Sequence, residues 1–339
     1  MMGRTVALIA TVVVAIVVIV VLAVTNPFRA GRDQTITEPT ATPTTTLNPR
    51  EAPSTPATGA YFGAWVKPPV HNQKTRIAMV NALQQQIGRR LDIVHIYLKA
   101  DALFPTTSDL TFLRQGSILM VSWALNDTKA IQSGAYDTLI RQRAQEIKAV
   151  GKPIFLEWRW EMDRPNLRSQ IHSAADYIAA WKHMRGIFAQ QHVDNVAWVW
   201  CPTSRGFASG EAGAFYPGDN EVDWICTDAY PGPGPHRSFA DVVRPFLAWA
   251  SHHPKPIMIG EYGVPVSYPP LERARWLRSA ALTAQGDPQI RALVYFDSNP
   301  TGHLADHSFA LDSPEALQAF RAIADDRYFN PRSVPITQP

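Results

Sequence analysis

From Ala60 onward, short apolar runs rich in β-branched and aromatic residues alternate with longer segments whose apolar positions recur at helical spacing. The short runs predict strands over Tyr61–Val66, Ile93–Leu98, Ser117–Trp123, Ile154–Glu161, Val196–Cys201, Val222–Asp228, Ile257–Glu261 and Ala292–Phe296. The longer segments predict helices over Lys74–Gly88, Tyr136–Val150, Ala174–Gln191, Phe239–Ser251, Leu271–Ala284 and Ser313–Ala324, with a weaker signal around Ser108–Gln115. Gly151-Lys152-Pro153 and His253-Pro254-Lys255-Pro256 stop helices and lead directly into strands. Residues 202–221 read as a long Gly-rich loop. Eight such units over roughly 270 residues have the size of a (β/α)8 TIM barrel. A doubly wound α/β sheet would carry a Gly-rich phosphate loop after its first strand, and here Lys67-Pro68-Pro69 follows instead.

The pattern changes abruptly before residue 59. Val6–Val24 is apolar apart from Thr11, and as a helix its 19 residues would span roughly 28 Å, a bilayer's hydrocarbon core. A cleaved signal peptide usually has a shorter apolar core ending in a small-x-small site, which Ala23-Val24-Thr25 matches poorly. We therefore expect a transmembrane signal anchor over residues 1–25. Thr35–Thr58 holds nine Thr and five Pro in 24 residues and has no apolar periodicity. Residues 26–58 are expected to form an extended Thr/Pro-rich linker. The catalytic-sized domain then covers 59–329, and 330–339 is a polar tail. This order implies a single-pass protein of the cell membrane with its barrel outside the cytoplasm, or a secreted one if the leader is removed.

Composition narrows the function classes. The net charge is +3, from 32 Lys and Arg against 29 Asp and Glu, with both signs spread along the chain. Nucleic-acid binding would call for a concentrated basic face, so no nucleic-acid partner is expected. Two cysteines exclude a disulfide-built scaffold and a cysteine-rich zinc module. Cys201 and Cys226 fall near the ends of neighbouring strands, and either a disulfide or two buried thiols fits that placement. No metal-ligand cluster or cofactor motif is apparent, and neither metal nor cofactor is expected; His252-His253 reads as a solvated helix end. The chain is expected to act as a monomer.

In a barrel, chemistry sits where strands end. The fourth strand runs PIFLEWRWEMD and the seventh PIMIGEYG, placing Glu161 and Glu261 at two such ends. Two carboxyls facing each other across a cleft suit glycoside hydrolysis, one protonated to serve the leaving oxygen and the other ionised to attack or to activate water. Strict alternation would turn Arg159 and Glu157 inward with Glu161, and Trp158 and Trp160 outward, although Trp160 borders the loop and is expected to reach the cleft. Tyr230, just past the sixth strand, is placed to hydrogen-bond an ionised Glu261; Asp228 precedes it, and Asp223 reads as structural. Trp65, Trp123, Trp200, Tyr262 and Phe296 near strand ends offer apolar faces for pyranose rings, with Lys67, His71 and His95 as further rim contacts.

Three segments, WRWEMD, YPGDNEVDWICTDAY and IGEYG, together with the strand count over roughly residues 60–325, resemble glycoside hydrolase family 26. The resemblance implies a retaining barrel hydrolase of the β-mannanase, lichenase and β-1,3-xylanase type, with Glu161 as acid/base, Glu261 as nucleophile, Tyr230 as the tyrosine bonded to the nucleophile and Asp228 as its neighbouring acid. Departures are Trp160 where the family usually has His, Asp163 where Asn is typical, and Tyr295-Phe296 where a Trp often floors the central subsite. They touch the positions that select the sugar. The expected activity is therefore cleavage of a β-linked poly- or oligosaccharide by double displacement. The alternatives are a non-catalytic carbohydrate-binding barrel and a transglycosylase at the cell surface.

Overall fold

The structure is a computed structural model and describes residues 51–299 and 308–333. The expected anchor and most of the linker lie outside these residues, as does most of the polar tail. Among the described residues no helix is long and apolar enough to cross a membrane.

The strands are β1 (Tyr61–Val66), β2 (Ile93–Lys99), β3 (Ile118–Ala124), β4 (Ile154–Trp158), β5 (Val196–Trp200), β6 (Trp224–Ala229), β7 (Ile257–Tyr262) and β8 (Ile290–Asp297). Each pairs in parallel with its sequence neighbour, and β8 closes on β1, giving a closed eight-stranded barrel in sequence order. The helices are α1 (Gln73–Ile87), α2 (Thr107–Arg114), α3 (Thr128–Gln132), α4 (Asp137–Val150), α5 (Arg168–Ile171), α6 (Ala174–Gln190), α7 (Ser204–Ser209), α8 (Phe239–Ala250), α9 (Pro270–Gly286) and α10 (Pro314–Asp325). The fold is the expected (β/α)8 barrel.

Side-chain alternation along the strands separates two apolar layers. Tyr61, Met120, Phe155, Val199, Trp224, Met258 and Val294 fill the barrel interior. Residues of the other parity, such as Phe62, Val121, Leu156, Trp198, Ile225 and Leu293, pack outward against the helices. Buried apolar area of this kind contributes about 25 cal/mol per Å² and supplies most of the driving force.

Helix starts follow local chemistry. Asn72, Ser173, Ser238 and Ser313 cap α1, α6, α8 and α10, each accepting a backbone N–H from the first turn. Thr106 and Asp109 form a reciprocal capping box on α2, the segment with the weak signal. Its eight residues make barely two turns, too few for a periodicity to stand out. Residues 202–221 hold more structure than the expected loop: Thr203 caps α7, and short 3-10 turns follow at Ala212–Phe215 and Asp219–Glu221.

Candidate active site

The end of β4 departs from regular strand. The strand stops at Trp158, and Arg159 and Glu161 take φ of 48° and 52°. Left-handed backbone is costly for residues with a Cβ and persists only where the surroundings hold it. Here Arg159 N donates to Trp123 O on β3 at 3.2 Å, and Glu161 N donates to Cys201 O after β5 at 2.8 Å. The turn breaks the expected alternation. Trp160 and Glu161 both line the cleft, while Arg159 is buried and donates to Gln170 at 2.8 Å. Arg159 therefore does not contact the cleft, and Glu157 is balanced by Ser122 rather than by Arg159.

Glu161 and Glu261 line one cavity of about 1000 Å³ at the strand ends. Trp65, Tyr97, Trp160, Tyr230 and Phe296 supply its aromatic wall. Trp65 stacks on Phe296 with ring centres 4.4 Å apart, and Tyr97 leans on Trp160 at 5.0 Å. Glu261 accepts hydrogen bonds on both oxygens, from Tyr230 at 2.6 Å and from Tyr97. Glu161 is bridged by Arg164, Nη1 to Oε2, at 2.6 Å.

Burial raises both carboxyls above the usual range. Glu261 is pushed up to about 7, by desolvation first and by the facing charge of Glu161 second, against the two tyrosine donors that pull it down. Glu161 is raised by desolvation, opposed chiefly by the Arg164 guanidinium. Two carboxyls that repel each other in a shared cavity hold one proton between them over a wide pH range. Below them lies a buried polar layer. Ser122 bridges His95 Nε2, at 2.6 Å, and Glu157. Burial raises the Glu157 and Asp228 carboxyls well above the usual range and lowers His95 to about 3, so it opposes the charged form of each.

Cys201, just after β5, and Cys226, within β6, form a disulfide. Asp228 Oδ1 lies 3.3 Å from Cys201 Sγ. A bridged sulfur has no proton to donate, so this contact is not a thiol hydrogen bond. Gly260 makes room for the arrangement: a Cβ there would stand 2.5 Å from Cys226 Sγ and 2.9 Å from Cys201 Sγ. The potential ligand atoms of Glu157, Cys201, Cys226 and Asp228 lie within 4.8 Å of one another, and with the sulfurs joined the group offers no free thiolate.

Several residues expected in the cleft lie elsewhere. Trp123 is fully buried outside the barrel wall and donates to Ala100 O. Trp200 packs with Phe207, Tyr216 and Trp249, and Tyr262 with Phe239, Trp276 and Tyr295. Parity explains Trp123 and Trp200, which point outward to the helix layer; Tyr262 joins them because the β7 register shifts between Ile259 and Tyr262, which turns Glu261 inward and Tyr262 outward. Asp228 sits under Glu261 rather than at the surface, its backbone in register with Glu261. His95 is buried, and Lys67 reaches Asn299 O at 3.2 Å. His71 lines a separate hollow of about 220 Å³ on the outer side of Trp65 and Tyr97. His253 is no solvated end, since it stacks on Trp249 and bonds Asp219 at 3.0 Å. Asp223 is structural, paired with Arg185 and accepting from Trp198 N.

The sequence reading missed Tyr97, Arg164, His236, Tyr268 and Phe309, which also line the cleft. Tyr97 could have been found, because β2 alternation places it two residues above His95 on the same face. Arg164 and the others stand in loops, where no periodicity points.

No protein-family model matches the chain. Endoglucanase H of Acetivibrio thermocellus is 30% identical over 283 residues, covering 78% of this chain and 30% of that protein. The β-1,3-xylanase TXYA of a Vibrio species is 28% identical over 152 residues, 43% of this chain and 31% of that protein. The chain thus spans about a third of the length of these curated relatives. Among solved structures, the catalytic domain of the Bacillus sp. JAMB-750 GH26 endo-β-1,4-mannanase superposes with a TM-score of 0.62 at 15% identity, covering 80% of this chain and 87% of that one. A GH26 β-mannanase from Bacteroides ovatus gives 0.60 at 13%, covering 81% and 90%. The chain resembles glycoside hydrolase family 26, as a divergent relative of its barrels.

Proposed function

We propose that the barrel is a retaining β-glycosidase acting on a β-linked poly- or oligosaccharide, with Glu261 as nucleophile and Glu161 as acid/base. The observation that carries this reading is Glu261 itself. It is a buried carboxylate at the end of β7, held on both oxygens by tyrosine hydroxyls, in the same aromatic-walled cavity as a second carboxyl. Two donors fix the orientation of the attacking oxygen and favour its charged form. The relatives whose names record activity on β-glucans, β-xylans and β-mannans support the same bond type.

In the first step Glu161 gives its proton to the glycosidic oxygen as the anomeric carbon–oxygen bond breaks and Glu261 bonds to that carbon. In the second, Glu161 takes a proton from water, and the water oxygen displaces Glu261. Trp65, Trp160, Tyr230 and Phe296 bound the sugar path. Trp160 replaces the His common before the acid/base and puts an indole face against the sugar in place of a hydrogen-bonding ring. The Val6–Val24 run and the Thr/Pro-rich segment support a membrane-tethered, extracytoplasmic placement, which fractionation of cells expressing the full chain would test.

Reducing-sugar release from β-mannan, mixed-linkage β-glucan and β-xylan tests the activity, with Glu161→Ala and Glu261→Ala as controls. Both variants are expected to lose at least a thousandfold, and the first product formed by the wild type is expected to keep the β anomer by proton NMR. Full activity in either variant, or an α-anomeric first product, would overturn the assignment.

A further inference from the structure

Arg164 follows Glu161 by three residues and stands where two hollows meet. It lines the cleft, and it also lines a hollow of about 270 Å³ shared with Asp163, Arg168, His172 and Glu211. Among the described residues lining the cleft it is the one Lys or Arg. Its side chain is 49% exposed and only Nη1 is engaged, by Glu161. The remaining N–H groups of the fork have no protein partner among the described residues. Arg168 has no ion pair among the described residues. Two acids share the hollow: Asp163 is committed to the backbone N–H and hydroxyl of Thr203, and burial raises its carboxyl, whereas Glu211 is exposed and leaves one acid facing two arginines. His172 faces Asp127 at 3.1 Å.

Planar guanidinium forks with spare donors match oxyanions, which accept two parallel charge-assisted hydrogen bonds. We propose that this corner is a subsite for an acidic sugar, with Arg164 and Arg168 receiving a carboxylate or phosphate carried by the glycan beside the scissile bond. The proposal rests on the glycosidase reading and narrows its substrate to acidic β-glycans. It also links binding to chemistry. The groups facing Glu161 are Arg159, Asp163 and Arg164 from its own loop, Glu157 from β4, Asp228 and Tyr230 from β6 and its end, and Glu261 from β7. Arg164 is the cation in direct contact. When a substrate anion shares that guanidinium, Glu161 loses part of its counter-charge and takes a proton from solvent. The acid is thus charged for its first step once the anionic substrate is seated.

Binding isolates this claim from turnover. Calorimetry on the full domain carrying Glu261→Gln would compare matched tetramers, β-1,4-glucose with β-1,4-glucuronate and β-1,4-mannose with β-1,4-mannuronate, and cellotetraose with its 6-phosphate. In at least one set the anionic ligand is expected to bind tenfold or more tightly than its neutral match, and Arg168→Gln to abolish that preference while leaving neutral binding unchanged. The set that responds separates carboxylate from phosphate. Equal or tighter neutral binding in every set, or a preference that survives both Arg164→Gln and Arg168→Gln, would overturn the proposal. In the active protein, the alkaline limb of kcat is expected to lie at higher pH on the acidic glycan than on the neutral one, and the two limbs to coincide in Arg164→Gln. Failure of the glycosidase reading would show separately, as reducing-sugar release unaffected by Glu161→Ala and Glu261→Ala.

Discussion

Replacing the proposed nucleophile should make the protein more stable, and only above a defined pH. Glu261 is 6% exposed, and its carboxyl is raised from 4.5 to about 7. The folded state therefore binds this proton more tightly than the unfolded chain. The contribution of this group to stability is greatest below about pH 4.5, falls as pH rises through about 7, and stays reduced above that. At about 1.36 kcal/mol per tenfold change in proton affinity, holding the ionised form costs about 3 kcal/mol at pH 8. Glu261→Gln keeps the shape and one acceptor, and removes the titration. It gives up one tyrosine–carboxylate hydrogen bond, worth about 1 kcal/mol. The variant should be about 2 kcal/mol more stable than the wild type at pH 8 and about 1 kcal/mol less stable at pH 4.5. For a domain of this size, 2 kcal/mol corresponds to roughly 5 °C in Tm. Calorimetric melts of both proteins at the two pH values check the crossing. A difference in Tm with the same sign and size at pH 4.5 and pH 8 would refute the account of Glu261 as a strained, buried acid.

Other outcomes follow from the same geometry. Tyr97→Phe removes a donor to Glu261, so the nucleophile should titrate still higher. The acid limb of kcat/KM should then move to higher pH, with a loss of about tenfold at neutral pH; an unmoved limb would exclude Tyr97 from positioning the nucleophile. The Cys201–Cys226 disulfide closes a separation of 25 residues, and Cys201→Ser/Cys226→Ser should lose about 3 kcal/mol in denaturant melts. Gly260→Ala drives a methyl into both sulfurs and should lower Tm more than Gly286→Ala, where nothing lies within 4 Å.

Much of the barrel is legible in the sequence because its two layers repeat two simple periods. Strand cores such as Tyr61–Val66 and helices such as α4 and α6 carry the apolar spacing that burial demands. The carboxylates were legible for a related reason: Glu161 and Glu261 are charged residues at the ends of runs otherwise committed to burial. What the alternation rule could not carry is the turn after Trp158. Two left-handed residues undo the parity, so Trp160 and Glu161 share a side that period-two counting denies them. The same rule, applied strictly, would have sent Trp123 and Trp200 to the helix layer, where they lie, but it would have turned Tyr262 inward and Glu261 outward; the register shift in β7 between Ile259 and Tyr262 reverses both. Proximity to a strand end is a weaker signal than parity. Arg164, His236 and Phe309 belong to loops whose paths depend on long-range packing and not on local spacing.

The electrostatics of the interior decide which carboxyl carries the charge. Glu157, Asp228 and Glu261 share the barrel axis, and all are nearly excluded from water. Desolvation opposes ionisation of each, and mutual repulsion forbids ionising all three together. What distinguishes them is the supply of donors. Glu157 has Ser122, with Oε1 unpartnered; Asp228 has a sulfur contact, with Oδ2 unpartnered. Glu261 has two tyrosine hydroxyls, one on each oxygen. The donors therefore favour a negative charge on Glu261, the carboxyl that lines the cleft, over one on Glu157 or Asp228. The like charge that raises Glu261 most is that of Glu161 across the cavity. The balance between the two turns on Arg164. While the guanidinium bridges Glu161 it favours charge on the proposed acid, and the proposed shift of that guanidinium toward an anionic substrate would weaken the preference. On the proposed reading, one side-chain movement of Arg164 separates the resting arrangement from the protonation state that the proposed double displacement requires.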